Sequence, residues 1–337
     1  MAGIHIFLSN ILWTLKYSFF RNRNIFYLVK PYLATGKFRN SLHCDYIYEV
    51  SHKRHFDNIT FASSSYQHPI AKRVIAFITW IIVYKNRAKE NFGGTEIIIS
   101  SSGQEYKIFN IDRSSVLTLF SDINKMLCVV SNKNHFKDYF YVAQTLEVVR
   151  EKKFIVEEFI SQKIFDKEEA FRCLAKQYAV YARNFPSFKD DDADENCRFF
   201  AQRFGKSDLL DLVKEFPMIL SHGDLWKSNV MYDGFWYYIT DFESVKPRFV
   251  LYDLFCFIFT EYVLYDDMTM ILYYFQGKYD DLFSDVLLSV NIVFDREKRG
   301  LYLLAYLVTV LSERWKTFVA VDCKISKVIK EFIPNYS

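Results

Sequence analysis

The spacing of apolar positions changes along the chain, and each change predicts a different kind of structure. Residues 1 to about 90 carry long apolar stretches broken by Asn, Ser, Lys and Arg; the longest, Val74 to Tyr84, is too short to span about 30 Å of hydrocarbon and predicts a buried helix. From Phe92 the period shortens. FGGT reads as a turn, TEIIIS (95–100) is rich in β-formers, SSGQ is a second turn, and EYKIFNI (105–111) alternates like a half-buried strand. This predicts an antiparallel pair with Lys107 in its second strand. Leu117, Phe120, Ile123, Leu127 and Val130, spaced by three and four, predict a helix over about 114–131, followed by strands near 143–150 and 154–160. Beyond Ser161 the pattern is mostly helical until Met218, where PMILSHGDLWKSNVMYDGFWYYITDFE sets short apolar strands around a polar loop. Helical spacing resumes at Leu251 and runs, as in LYLLAYLVTVLSERW (301–315), to near the end. The expected organisation is α+β: a mostly helical N-terminal extension over 1–90, a small antiparallel β-rich lobe over 91–160, and a larger helical lobe over 161–337.

Composition narrows the function classes. With 51% hydrophobic and 25% charged residues in 337, the chain is not disordered as a whole, and a net charge of +3 gives no footprint for nucleic acid. Aromatic residues make up 19% of the chain, against only 10 glycines and 6 prolines, so elements run with few interruptions. Six dispersed cysteines form no CxxC pair, which suggests neither a zinc cage nor a disulfide framework and makes a reducing cytoplasm the expected location. The N-terminus lacks a small-residue cleavage site, so no cleaved signal peptide is expected. The aromatic and basic mixture of residues 1–34 leaves two readings open, packing on its own domain and peripheral contact with a membrane surface. The acidic run KDDDADE (189–195) reads as a solvated loop.

The strongest chemical signal is His222-Gly223-Asp224-Leu225-Trp226-Lys227-Ser228-Asn229, followed twelve residues after Asn229 by Asp241-Phe242-Glu243. Asp233-Gly234 in the intervening VMYDGFWYYIT is a tight-turn dipeptide, and folding a hairpin there brings Asn229 and Asp241 together. Any one of these residues has an ordinary structural use. The multi-part pattern is far less common by chance.

HGDLxxxN followed by a hydrophobic strand ending in DFE resembles the catalytic and metal-binding loops of the aminoglycoside phosphotransferase and choline kinase superfamily, small-molecule kinases with a bilobal, protein-kinase-like fold. The HGDLW wording is also similar to that of fructosamine kinases. The resemblance covers roughly residues 92–257 and implies an ATP-dependent phosphotransferase acting on a hydroxyl of a small molecule, sugar or glycan. By that resemblance Asp224 is the catalytic base, while Asn229 and Asp241 hold Mg²⁺, a hard cation suited to oxygen ligands. His222 is expected to brace the loop and Glu243 to lie on the metal side or brace it. Asp253, in the Tyr252-Asp253-Leu254 helix start, is a cap by its own chemistry and a loop brace by the resemblance.

Upstream, the resemblance calls for a glycine turn over the nucleotide phosphates and then a strand lysine, for which Gly93, Gly94, Thr95 and Lys107 stand in order. The strand from Phe154 to Ile160 would lead into a hinge, with the backbone near Glu158 and Phe159 meeting the adenine edge. One departure is plain: relatives pair the strand lysine with a helix Glu, yet no Glu lies between Tyr106 and Leu146, and Asp122 is the nearest substitute. A second is Lys227-Ser228, where many relatives have a glycine. The eleven residues between Asp241 and Asp253 are too few for the peptide-docking segment of a protein kinase. The alternative is a catalytically inactive relative that binds nucleotide or a partner. Trp226 and Trp236 have two readings, stacking on a sugar ring and packing.

Overall fold

A computed structural model describes residues 21–40, 46–51, 83–87, 92–99, 105–185 and 216–314, together with Lys324, Lys327, Val328 and Glu331. The chain divides into two compact units, one of residues 1–127 and 143–160 and one of residues 128–142 and 161–337.

The first unit is built on an eight-stranded sheet in which every pairing is antiparallel. Its strands are β1 (Gly36–Asn40), β2 (Tyr46–Glu49), β3 (Val83–Asn86), β4 (Glu96–Ile99), β5 (Glu105–Asn110), β6 (Ser115–Phe120), β7 (Thr145–Val149) and β8 (Phe154–Glu158), in the order β3-β1-β2-β4-β5-β6-β8-β7. A helical segment over residues 21–29 buries Ile25, Phe26 and Val29 in one core with Phe38, Ile47, Tyr84, Ile97, Ile108 and Leu117. Phe26 stacks on Tyr84 with ring centroids 4.8 Å apart. Alternate residues point to the other face, where Tyr48 and Phe109 cluster with Ile98, Val116 and Phe159.

Two expectations are corrected here. The helical extension does not describe the resolved part of residues 1–90, because β1, β2 and β3 are strands of the same sheet. These strands are only four or five residues long, and in β3 the apolar Val83 is exposed while the polar Asn86 is buried, so GKFRN and VYKN leave little periodic signal. Residues 74–82 of the expected buried helix lie outside the described residues, and its end, Val83 and Tyr84, belongs to β3. Second, the helix expected over 114–131 begins with strand β6; α1 starts only at Ile123 and runs to Phe136. Strand β6 lies inside the sheet and is buried at five of six positions, so both faces are apolar and the alternation that marks a strand is lost. Residues 21–34 of the aromatic N-terminus pack on this sheet through Ile25, Phe26, Val29 and Leu33; residues 1–20 lie outside the described residues, as does the acidic run 189–195.

The second unit carries α2 (Lys167–Asn184), α3 (Tyr252–Tyr265), α4 (Thr269–Phe275), α5 (Asp280–Ser289) and α6 (Arg299–Arg314), with most of α1. Asp166 starts α2 by accepting the Glu169 N–H at 2.9 Å. Helix α3 is buried from Tyr252 through Phe259, apolar on all sides, and its aromatic rings join those of α2, α4, α5 and α6 in one core. The high aromatic content of the chain is thus largely packing. Among the described residues no helix is long and apolar enough to cross a membrane.

Candidate active site

Two short strand pairs in the second unit shape the loop. Strand β9 (Met218–Ser221) pairs with β12 (Lys246–Phe249), setting Ser221 opposite Lys246, while β10 (Val230–Tyr232) pairs with β11 (Tyr237–Ile239). The β10–β11 connection has four residues rather than a two-residue turn. Asp233 Oδ1 accepts the N–H groups of Phe235 (2.7 Å) and Trp236 (2.8 Å), and these bonds hold its carboxyl below the usual range. Trp236 is therefore at the hairpin's turn end, away from Asn229, and stacks on Tyr141 at 4.5 Å.

Between β9 and β10 lies the polar loop. His222 is buried, its N–H donating to Asp253 Oδ2 at 2.7 Å and its Nε2 lying 3.0 Å from the Thr240 carbonyl, so Nε2 carries the proton and Nδ1 accepts the Asp224 N–H at 3.4 Å. Phe242 packs edge-on against the imidazole at 5.2 Å. Gly223 has φ +80° and donates its N–H to Asp253 Oδ1 at 2.8 Å; a Cβ there would collide with the Arg248 guanidinium and the Ser244 carbonyl. Asp253 is fully buried at the start of α3, and both its oxygens serve this loop. Arg248, buried beside it, donates to the Ser244 carbonyl at 2.9 Å and stacks over Tyr252. Burial, with the Asp253 charge second, pushes the hydroxyl of Tyr178 well above the ordinary tyrosine range.

Asp224 emerges half-buried from this frame. Asn229 Nδ2 donates to the Asp224 carbonyl at 2.7 Å and to its Oδ2 at 2.9 Å, which fixes the carboxylate and turns Asn229 Oδ1 the other way. The Asn229 carbonyl accepts the Thr240 N–H at 2.9 Å, placing the next residue, Asp241, beside it. Asp241 has φ +68° and ψ +73°, a costly conformation for a residue with a Cβ. Neither Asn229 Oδ1 nor the Asp241 carboxylate makes a hydrogen bond among the described residues. Glu243 and Lys227 are exposed. Sequence reading missed Asn132, on α1, whose amide donates to the Phe242 carbonyl at 2.9 Å; a contact between residues 110 apart left no signal.

In the first unit the expected residues are distributed differently. Gly94, two residues before β4, donates to the Tyr32 carbonyl at 2.9 Å, and a Cβ on it would strike Ile108. Thr95 donates its N–H to the Phe109 carbonyl at 2.8 Å. Gly93, Gly94 and Thr95 thus lie at the end of β4 away from the β4–β5 connection, residues 100–104, which lies outside the described residues. Lys107 is on β5 opposite Thr118, whereas β6, the strand entering α1, has neither lysine nor arginine. No ion pair joins Lys107 to Asp122 among the described residues; Asp122 Oδ1 caps α1 by accepting the Asn124 N–H at 2.9 Å. The N–H of Glu158 goes to the Gln144 carbonyl and that of Phe159 to the Ser114 carbonyl, so neither amide is left for a nucleobase.

No family model and no curated protein matches the sequence. Among solved structures the chain is similar to an amicoumacin kinase in complex with AMP-PNP and Ca²⁺ (12% identity, 70% of this chain and 87% of that one, TM-score 0.45). It is also similar to an aminoglycoside phosphotransferase from Streptomyces rimosus (13%, 63% and 92%, TM-score 0.40) and a choline kinase from Streptococcus pneumoniae (15%, 64% and 84%, TM-score 0.39). Likeness at this level leaves the chemistry to the residues themselves.

Proposed function

We propose that the protein is an ATP-dependent phosphotransferase that moves the γ-phosphoryl group to a hydroxyl of a small molecule, sugar or glycan. One observation carries this reading: the Asn229 amide fixes the Asp224 carboxylate, while Asn229 Oδ1 and the Asp241 carboxylate are left unengaged among the described residues on adjacent backbone segments. Asp224 orients the acceptor hydroxyl and takes its proton as the acceptor oxygen bonds to the γ-phosphorus and the bond to the nucleoside diphosphate oxygen breaks. The two unengaged groups offer hard oxygen donors, which fit Mg²⁺; when bound, that cation neutralises phosphate charge. Magnesium commonly takes only one or two protein ligands beside phosphate and water, so a larger ligand cluster is not required.

His222, Gly223 and Asp253 act through the loop, holding Asp224 in place. Lys107 is read as the phosphate-facing cation. The test is a screen of the purified protein for ATP consumption against amino alcohols, aminoglycosides, free sugars and glycan fragments. An acceptor that stimulates the wild type and not Asp224→Asn supports the reading, and nucleotide binding with no acceptor-dependent turnover favours an inactive relative.

A further inference from the structure

Residues 105, 107 and 109 of β5 share one face, because strand side chains alternate. Lys107 and Phe109 on that face stand opposite Thr118 and Val116 of β6, and Glu105 stands opposite Phe120. Glu105 is only 4% exposed. A carboxylate at that depth is costly unless a cation meets it, and among the described residues Lys125 of α1 does so, with its Nζ 3.2 Å from Oε1. Helix α1 starts three residues after β6 ends, so this pair ties β5 directly to the helix's first turn, on the face that carries Lys107. Asp122, the acid expected to hold Lys107, is engaged as the helix cap.

We propose that Glu105 and Lys125 form the strand-to-helix clamp of the nucleotide-binding unit with its charges exchanged: the acid sits on the strand and the base on the helix, which leaves the Lys107 ammonium for the nucleotide phosphates. This rests on the phosphotransferase reading. Glu105 and Lys125 are positioning residues, acting through the placement of α1 against the Lys107 face. The exchange also accounts for the lack of a glutamate between Tyr106 and Leu146.

Calorimetric titration of Mg²⁺ and AMP-PNP into the full chain tests both ideas separately. A wild type that binds no nucleotide overturns the functional reading and the clamp with it. If the wild type binds, Lys125→Met is expected to weaken nucleotide affinity by about tenfold, Lys125→Arg to restore it, and the KM for the acceptor to stay unchanged. Lys125→Met leaves the buried Glu105 carboxylate without this cation, so Lys125→Arg and the double change of Lys125→Met with Glu105→Gln, which removes the stranded charge, keep the test decisive where Lys125→Met alone fails to fold. Wild-type nucleotide affinity in Lys125→Met, whatever its melting temperature, overturns the clamp and leaves the phosphotransferase reading standing.

Discussion

The loop from His222 to Asp241 and the strand pair from Gly93 to Asn110 both combine glycine with charged side chains, yet they use these residues in opposite ways. In the loop, Gly223 takes a positive φ so that two consecutive N–H groups can reach one buried carboxylate, and Asp224, the charged group that follows, is half-buried and held by the Asn229 amide. In the strand pair, Gly94 is small because Ile108 occupies the space a side chain would need, and the nearby charge Glu105 is turned inward onto Lys125. One glycine lets two amides reach a buried carboxylate, the other leaves room for a neighbouring side chain in the sheet.

Substitution at those two glycines sharpens the contrast. Gly223→Ala combines a strained φ with collisions against buried Arg248 and backbone, and is expected to cost about 2 to 5 kcal/mol and to abolish turnover. Denaturant unfolding beside an activity assay measures it. A mutant with wild-type stability would break the account of the loop. Gly94→Ala collides with the Ile108 side chain and comes within 3.3 Å of the Tyr32 carbonyl, so a loss of about 1 to 3 kcal/mol is expected with nucleotide affinity unchanged. If affinity fell while stability held, Gly94 would belong to a phosphate cradle after all.

The smallest expected effect lies at the end of α3. The Lys167 ammonium, with the Thr269 hydroxyl and N–H, holds the Asp267 carboxyl down to about 2. Its folded pKa is below the unfolded value of about 3.9, so its contribution is complete above that value and is lost as pH falls towards 2. Asp267 is partly exposed, and Asp267→Asn is expected to cost at most about 1 kcal/mol at neutral pH and to flatten the acid side of the stability profile between pH 4 and 2. An unchanged acid limb would show that the pair contributes nothing.

The same contrast explains what could be read from sequence. His222, Asp224, Asn229 and Asp241 lie within one strand-loop-hairpin segment, so a local turn nearly determines which of them meet, and the short strands around them are visible as apolar triplets. The role of β5 depends instead on pairing with β4, β6 and, through the sheet, segments before residue 50. Nothing local distinguishes Lys107 on β5 from a lysine on the strand entering α1, and β6 itself, apolar on both faces, has a spacing that also fits a helix. Asn132 and Lys125, which support the two regions, become visible only once α1 is placed.

The central claim is that Asp224 serves the acceptor while Asp241 serves the metal–nucleotide side. Titration of Mg²⁺ and AMP-PNP into the wild type, Asp224→Asn and Asp241→Ala tests it most directly, because it reads nucleotide binding without needing the acceptor. The account predicts near wild-type affinity in Asp224→Asn, alongside a loss of turnover of about 10² to 10⁴, and clearly weakened, less magnesium-dependent binding in Asp241→Ala. Unchanged metal-dependent binding in Asp241→Ala would contradict it.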